Sequence, residues 1–267
     1  MATSRLYDST RAALASRLPD VRDSQLDTLA LVVVGVTQSV SAQLGKIARA
    51  MPLDTTQYAK EQRLRRFLDN QPITQADHYQ PLVRKALSGL KGQTVQLLID
   101  RVLLRDHHNI LVVSIGFRRR SLPLAWKARS HRGKSSLADQ QEVLTQALAT
   151  LPERVRVSVH GDSEFRGREL FEWLRQQRCD AMLGVYGNTY VSLTVDGPRQ
   201  MLETWLRDRS SVVYLHHVYL TEAAFGPVSV IAWWVKDADG QWRVRGVLDQ
   251  FAPYLANLSA REPENVD

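Results

Sequence analysis

The hydrophobic period of this chain changes at Gly92, and that change limits what it can fold into. Before it, Leu14, Leu18, Leu26, Leu29, Ala30, Val33 and Val34 recur every three or four positions, which puts them on one face of helices. After it, Val95 to Ile99, Asn109 to Ile115 and Ser121 to Trp126 are short alternating or continuously apolar runs, the pattern of strands close enough to pair antiparallel. The sequence therefore predicts a helical region over residues 1–92 and a sheet-bearing remainder.

Within the first region Asp23 and Ser24 are expected caps, Ser41 to Ala50 a second helix closed by Pro52, and Asp54 to about Asn70 a third. A fourth helix is expected from Thr74 to Leu87, with Gly89 and Gly92 marking its end. Val32-Val33-Val34 argues locally for a strand, but its flanks are helical. Beyond the three strands, Leu137 to Leu151 returns to helical spacing, Val155 to Val159 reads as strand and Gly167 to Gln177 as helix. That order is an α/β arrangement with a mixed sheet, over residues 93–180. Residues 181–258 read as a β-rich insertion of short strands with turns at Gly187-Asn188, Gly197-Pro198 and Asp239-Gly240, and 259–267 as a polar tail.

Composition narrows the function. The 267 residues are 44% hydrophobic and 24% charged with one cysteine, which excludes a disordered, collagenous or disulfide-stapled chain and suits a reduced cytoplasm. The net charge of +7 favours a polyanionic partner. Met1 to Asp20 lacks the apolar run of a secretory signal. Leu29 to Val36, at eight residues, falls far short of the roughly 20 a membrane span needs, so nucleic acid is expected rather than a membrane.

Two acids stand out by position. Asp100 ends the run Val95 to Ile99, and Asp162 follows Val155 to Val159 through His160-Gly161. Two carboxylates delivered to neighbouring strand ends repel unless a divalent cation lies between them, and hard oxygen ligands suit Mg²⁺ or Mn²⁺. Such a pair predicts phosphodiester chemistry at a metal site. The alternative for each is a turn former or helix cap, for Asp162 in particular.

Three blocks carry a resemblance: Leu98-Ile99-Asp100-Arg101-Val102, then Val112 to Trp126, then His160-Gly161-Asp162-Ser163-Glu164-Phe165-Arg166-Gly167. With Ile47 to Ala50 and Leu64 to Asn70 upstream, the stretch from about 20 to 235 resembles the DDE transposases of bacterial insertion sequences. That family has a ribonuclease H-like core with a β-rich insertion before its third acid. The resemblance implies that Asp100, on the first strand, and Asp162, just after the fourth, are catalytic and bind Mg²⁺ or Mn²⁺. It implies double-stranded DNA with terminal inverted repeats as partner, a possible homodimer on DNA, and a bacterial cytoplasm at the nucleoid. The family's third acid sits in a motif with an arginine three residues after a tyrosine, and none of the eight tyrosines here has one. Glu222, Glu262 and Glu264 lack the surroundings of that motif. The chain is thus expected to stop short of the third acid and to cut DNA poorly or not at all.

The basic residues fit DNA handling. From Arg101 to Lys134 there are nine Lys or Arg and one acid, Asp106, a local net of +8. Arg118, Arg119 and Arg120 at a predicted hairpin turn, and Lys127, Arg129, Arg132 and Lys134 beyond it, are expected phosphate contacts; a solvated hairpin tip is the other reading. Arg63, Arg65 and Arg66, with Lys60, form a basic helix edge whose buried side is expected to be Leu64, Phe67 and Leu68. Trp233, Trp234 and Trp242 are read either as stacking platforms for bases or as core. His216-His217 and His107-His108 point to opposite faces if in strands and so do not share a metal, and Glu164 is expected exposed in its loop. The expected function is a transposase cutting and joining DNA. A DNA-binding remnant occupying element ends without cutting, or a ribonuclease H-like nuclease, are the alternatives.

Overall fold

The computed structural model describes residues 2–70, 72–104, 108–117, 120–129, 133–221 and 224–249. The chain forms two compact units, Met1–Gly89 and Leu90–Asp267.

The first unit is helical: α1 (Ala2–Ala15), α2 (Asp23–Ser39), α3 (Leu44–Ala50), α4 (Gln57–Leu68) and α5 (Gln80–Leu87), the last entered through a π-helical turn at Gln75–Tyr79. The valine triplet is helical within α2, because Leu31 and Val34 bury there and tertiary packing overrides their β preference. Two core clusters hold the unit, one of Leu31, Ile47, Ala48, Met51 and Leu64, the other of Leu14, Leu18, Leu26 and Ala30. Gly35 lets α2 and α3 approach closely: a Cβ there would lie 2.8 Å from Ile47 Cγ2. Two expectations are corrected. Arg22 stands at the N-cap of α2 and no side chain caps it, so Asp23 and Ser24 already lie inside the helix. Leu64 alone is buried on α4; Phe67 is half-buried and Leu68, the last residue of the helix, is 61% exposed.

The second unit is built on one ten-stranded sheet in the order β3-β2-β1-β4-β5-β10-β9-β8-β6-β7. β1 (Thr94–Leu104), β2 (His108–Phe117) and β3 (Arg120–Arg129) form an antiparallel meander. β4 (Arg156–Gly161) and β5 (Asp180–Tyr186) run parallel to β1. Two crossover helices make the parallel connections possible, α6 (Leu137–Leu148) before β4 and α7 (Arg168–Gln176) before β5. Alternation puts Val95, Leu97 and Ile99 of β1 in register with Val157, Val159 and Gly161 of β4, on the buried face together with Leu111, Val113, Ala181 and Leu183. Val143, Leu144 and Ala147 of α6 and Leu170, Phe171 and Leu174 of α7 are buried with them. Each of the wholly buried leucines in this set contributes about 1.5–3 kcal/mol relative to exposure.

The β-rich segment continues this sheet instead of forming a layer of its own. β6 (Tyr190–Ser192), β7 (Gln200–Met201), β8 (Val212–Leu220) and β9 (Phe225–Lys236) are joined to the rest through β10 (Trp242–Asp249), which pairs antiparallel with β5. Among the described residues no single helix is long and apolar enough to cross a membrane.

Candidate active site

Asp100 and Asp162 are brought together by strand register. β1 and β4 run parallel, and their last paired residues are Ile99 and Gly161. Asp100 and Asp162 come next, on strands about 4.8 Å apart, and both are exposed; Asp100 does not end its strand as expected, because β1 stays paired with β2 as far as Leu104. Since Ile99 faces the helices, alternation turns Asp100 to the opposite face, where it lies across from Val112 of β2. Each carboxylate has one oxygen occupied locally. The Arg101 amide donates to Asp100 Oδ1 at 2.7 Å, and the Glu164 amide donates to Asp162 Oδ1 at 2.8 Å. The second contact makes Asp162 the N-cap of a 3₁₀ turn at Ser163–Phe165, so the capping role is real and coexists with the strand-end position.

Two glycines hold this geometry. A Cβ on Gly161 would sit 2.9 Å from Ile99 Cγ2 and 3.0 Å from Phe165, and one on Gly184 of β5 would sit 2.8 Å from the Ser163 amide nitrogen. Any larger residue at 184 pushes directly on the backbone that carries Asp162.

Glu164 is not the exposed loop residue expected from the sequence. Its side chain is only 10% exposed, because it accepts from Arg101 Nε at 2.7 Å and from the amide and hydroxyl of Ser135 at 3.2 and 3.3 Å. Arg101 also donates to the Gly133 carbonyl at 3.2 Å, and buried Asn109 donates to the same oxygen at 2.7 Å. The residues next to the two aspartates are thus tied to each other and to the loop before α6. His160, two residues before Asp162, contacts Ser158 Oγ through Nε2 at 3.0 Å, and burial pushes its imidazole below the usual range.

The basic residues divide. Lys127 pairs with Asp139 at 2.9 Å and Glu142 at 2.6 Å, and Arg129 pairs with Asp139 at 3.1 Å, so both clamp α6 onto β3. Asp139 completes a capping box with Ser136; the Ser136 hydroxyl and Lys127, with help from Arg129, hold its carboxyl down to about 2. Arg63 donates to Thr28 Oγ1 at 3.0 and 3.2 Å, joining α4 to α2. Arg65, Arg66, Arg120 and Lys134 are exposed, and Arg118, Arg119 and Arg132 lie outside the described residues. So do His107 and the acids Glu222, Glu262 and Glu264.

Compared with protein-family models and with characterised proteins, the sequence matches none. The chemistry of the site therefore rests on its own geometry. Two hard carboxylates, one within β1 and one just after the neighbouring β4, fit two ligand positions of a Mg²⁺ or Mn²⁺ site. Among the described residues no group of three His, Cys, Asp or Glu side chains is placed to share an ion, and Glu164 is turned to Arg101.

His216 and His217 sit in an irregularity of β8 between Leu215 and Val218, with His217 at φ +55, so the regular alternation expected for them does not hold. Trp233 and Trp234 are half-buried in β9, while Trp242 is partly exposed with Arg209 5.3 Å from its ring. Cys179 is buried, which pushes its thiol up to about 11.

The acids are findable from the sequence because Asp100 directly follows an apolar run and Asp162 follows one through His160-Gly161. Glu164, Ser135, Asn109 and Gly184 are not: Glu164 and Arg101 are 63 positions apart, and no local pattern announces such a pair.

Proposed function

We propose that this chain is a DNA-handling protein of the DDE transposase type, with a ribonuclease H-like core, working on the nucleoid in a bacterial cytoplasm. The observation that carries the reading is the placement of Asp100 within β1 and Asp162 just after β4, each one residue past the last β1–β4 pair, Ile99–Gly161. Support also comes from the strand order β3-β2-β1-β4-β5 and from the β-strands that follow β5.

In this reading Asp100 and Asp162 hold Mg²⁺ or Mn²⁺, which supplies charge neutralisation at a scissile phosphate and activation of an attacking hydroxyl. The Arg101 and Glu164 amides orient the two carboxylates, and the Arg101–Glu164 pair ties β1 to the turn that follows β4. Arg65, Arg66, Arg120 and Lys134 are exposed cations that suit DNA phosphates. With two acid ligands placed among the described residues, weak metal affinity and poor strand cleavage are expected. DNA binding without cutting is accordingly the second reading, favoured by the engagement of Glu164 with Arg101.

The test is the purified chain with duplexes ending in matched inverted repeats. Expected are salt-sensitive binding, weak Mn²⁺ binding lost in Asp100→Asn and Asp162→Asn, and little cleavage. Absence of DNA binding, or Mn²⁺ binding indifferent to both substitutions, overturns the reading. Robust cleavage overturns the argument from ligand number.

A further inference from the structure

The second unit holds an open cavity of about 510 Å³, within the roughly 300–1,000 Å³ typical of small-ligand sites. It lies where the start of α7 meets the β5–β6 turn and the end of β8. The geometry points to this cavity as a binding site for a nucleoside monophosphate unit, with the phosphate at Arg166 and the base against the apolar floor.

The floor is made by Val185 and Leu220, both buried, with half-buried Phe225 beside them. Phe225 is fixed edge-on against Phe171, with ring centres 4.9 Å apart at 87°. A floor of this kind favours a planar apolar body over water. The mouth is of opposite character. Arg166 lies over the Tyr186 ring at 4.6 Å, and among the described residues it makes no ion pair. Its neighbours are already engaged: Arg168 pairs with Glu172 at 2.7 Å, and Arg245, 5.3 Å from the same ring, pairs with Asp237 at 3.0 Å. Among the described residues of the mouth, Arg166 is therefore a cation without a carboxylate partner, placed to take an anion.

Asn188, Thr189 and Thr221 also line the mouth, and their side chains make no hydrogen bond among the described residues. An amide and two hydroxyls match the donor and acceptor edges of a base and the oxygens of a sugar phosphate. Thr221 has φ +61, a costly backbone conformation for a β-branched residue, of the kind that gathers at functional sites. A free nucleotide and an unpaired nucleotide of a DNA strand share this chemistry. The cavity neighbours the aspartates without containing them: Gly184, which packs against Asp162, precedes Val185 in the floor. The inference stands on the cavity and does not depend on the metal reading.

The full chain is titrated calorimetrically with deoxyadenosine 5′-monophosphate, inorganic phosphate and a short single-stranded oligonucleotide. Saturable binding of the monophosphate, much weaker binding of phosphate, and a loss of about tenfold in Arg166→Gln are expected. Arg166 is exposed, so this variant folds; Asn188→Ala, also on the exposed rim, is expected to weaken the monophosphate and leave phosphate unchanged. The titrations are run without divalent cation, so that failure of the metal reading at Asp100 and Asp162 neither produces nor abolishes the result. Oligonucleotide binding tighter than monophosphate, with the same Arg166 dependence, assigns the site to a DNA strand; equal affinity assigns it to the free nucleotide. No binding of either nucleotide probe, phosphate binding as tight as the monophosphate, or indifference to Arg166→Gln overturns the proposal.

Discussion

Glu164 carries more of the local order around Asp100 and Asp162 than any other side chain near them. Its carboxylate takes the Arg101 guanidinium and both donors of Ser135, and it does so while nearly buried. Truncating it to alanine leaves Arg101 without its charge partner. Because that guanidinium is partly in contact with solvent, the cost is below that of a fully buried pair, about 1–3 kcal/mol in urea unfolding, with Glu164→Gln costing less. A loss under a few tenths of a kcal/mol for Glu164→Ala contradicts this account. Gly184→Ala is a sharper probe, since the added methyl meets the Ser163 amide nitrogen at 2.8 Å and the Asp162 carbonyl carbon at 3.0 Å. It is expected to cost about 1–3 kcal/mol and to weaken Mn²⁺ binding through the displaced turn. Gly89→Ala, which meets nothing within 4 Å, is the matched control and changes neither. At this scale the sequence revealed residues whose role follows from local pattern, Asp100 and Asp162, and concealed those whose role follows from a partner far along the chain.

Helices and strands were more legible than contacts, because the change from a 3.6 to a 2-residue period is local. Their ends were less so. α2 begins without a side-chain cap and ends at Val40, a β-branched residue with φ +47 that is 90% exposed. Glycine adopts that conformation without the Cβ penalty. Val40→Gly is therefore expected to stabilise the first unit by about 1 kcal/mol, read as a higher melting temperature. A fall in melting temperature contradicts the strain argument. The junction of α6 with β3 predicts a pH response. Asp139, held at about 2 by Ser136, Lys127 and Arg129, has an unfolded value near 3.9. Its contribution is complete above about pH 4 and disappears as the pH falls towards 2, because the unfolded chain then binds the proton more readily. Asp139→Asn should flatten the acid limb of stability across that window in a chemical denaturation series; an unchanged limb refutes it.

For the molecule as a whole, the fold redistributes the net charge of +7. Lys127 and Arg129 lie in the basic stretch but spend their charge on α6, and Arg101 on Glu164. Exposed Arg65, Arg66, Arg120 and Lys134 remain for a polyanion. Substituting one of these with Gln should lower the slope of log affinity for DNA against log salt by about one, whereas Lys127→Gln should chiefly lower stability. Equal slopes for both kinds of variant rule out the division. The sheet order was the least legible feature, since nothing local in Trp242 to Asp249 announces that this strand pairs with β5 rather than only with its sequence neighbour β9.

That placement matters for how the chain is made. β10 follows β6 to β9 in synthesis, yet it is the strand that seats between β5 and β9. Until the ribosome has released residues 242–249, the outer edge of β5 offers its unpaired backbone to any passing strand. The four strands already made after it can pair among themselves but have no ladder linking them to β5. The nascent chain is thus most vulnerable to misassociation late, after most of its core residues have emerged, and a chaperone acting on it has the most to protect in that interval.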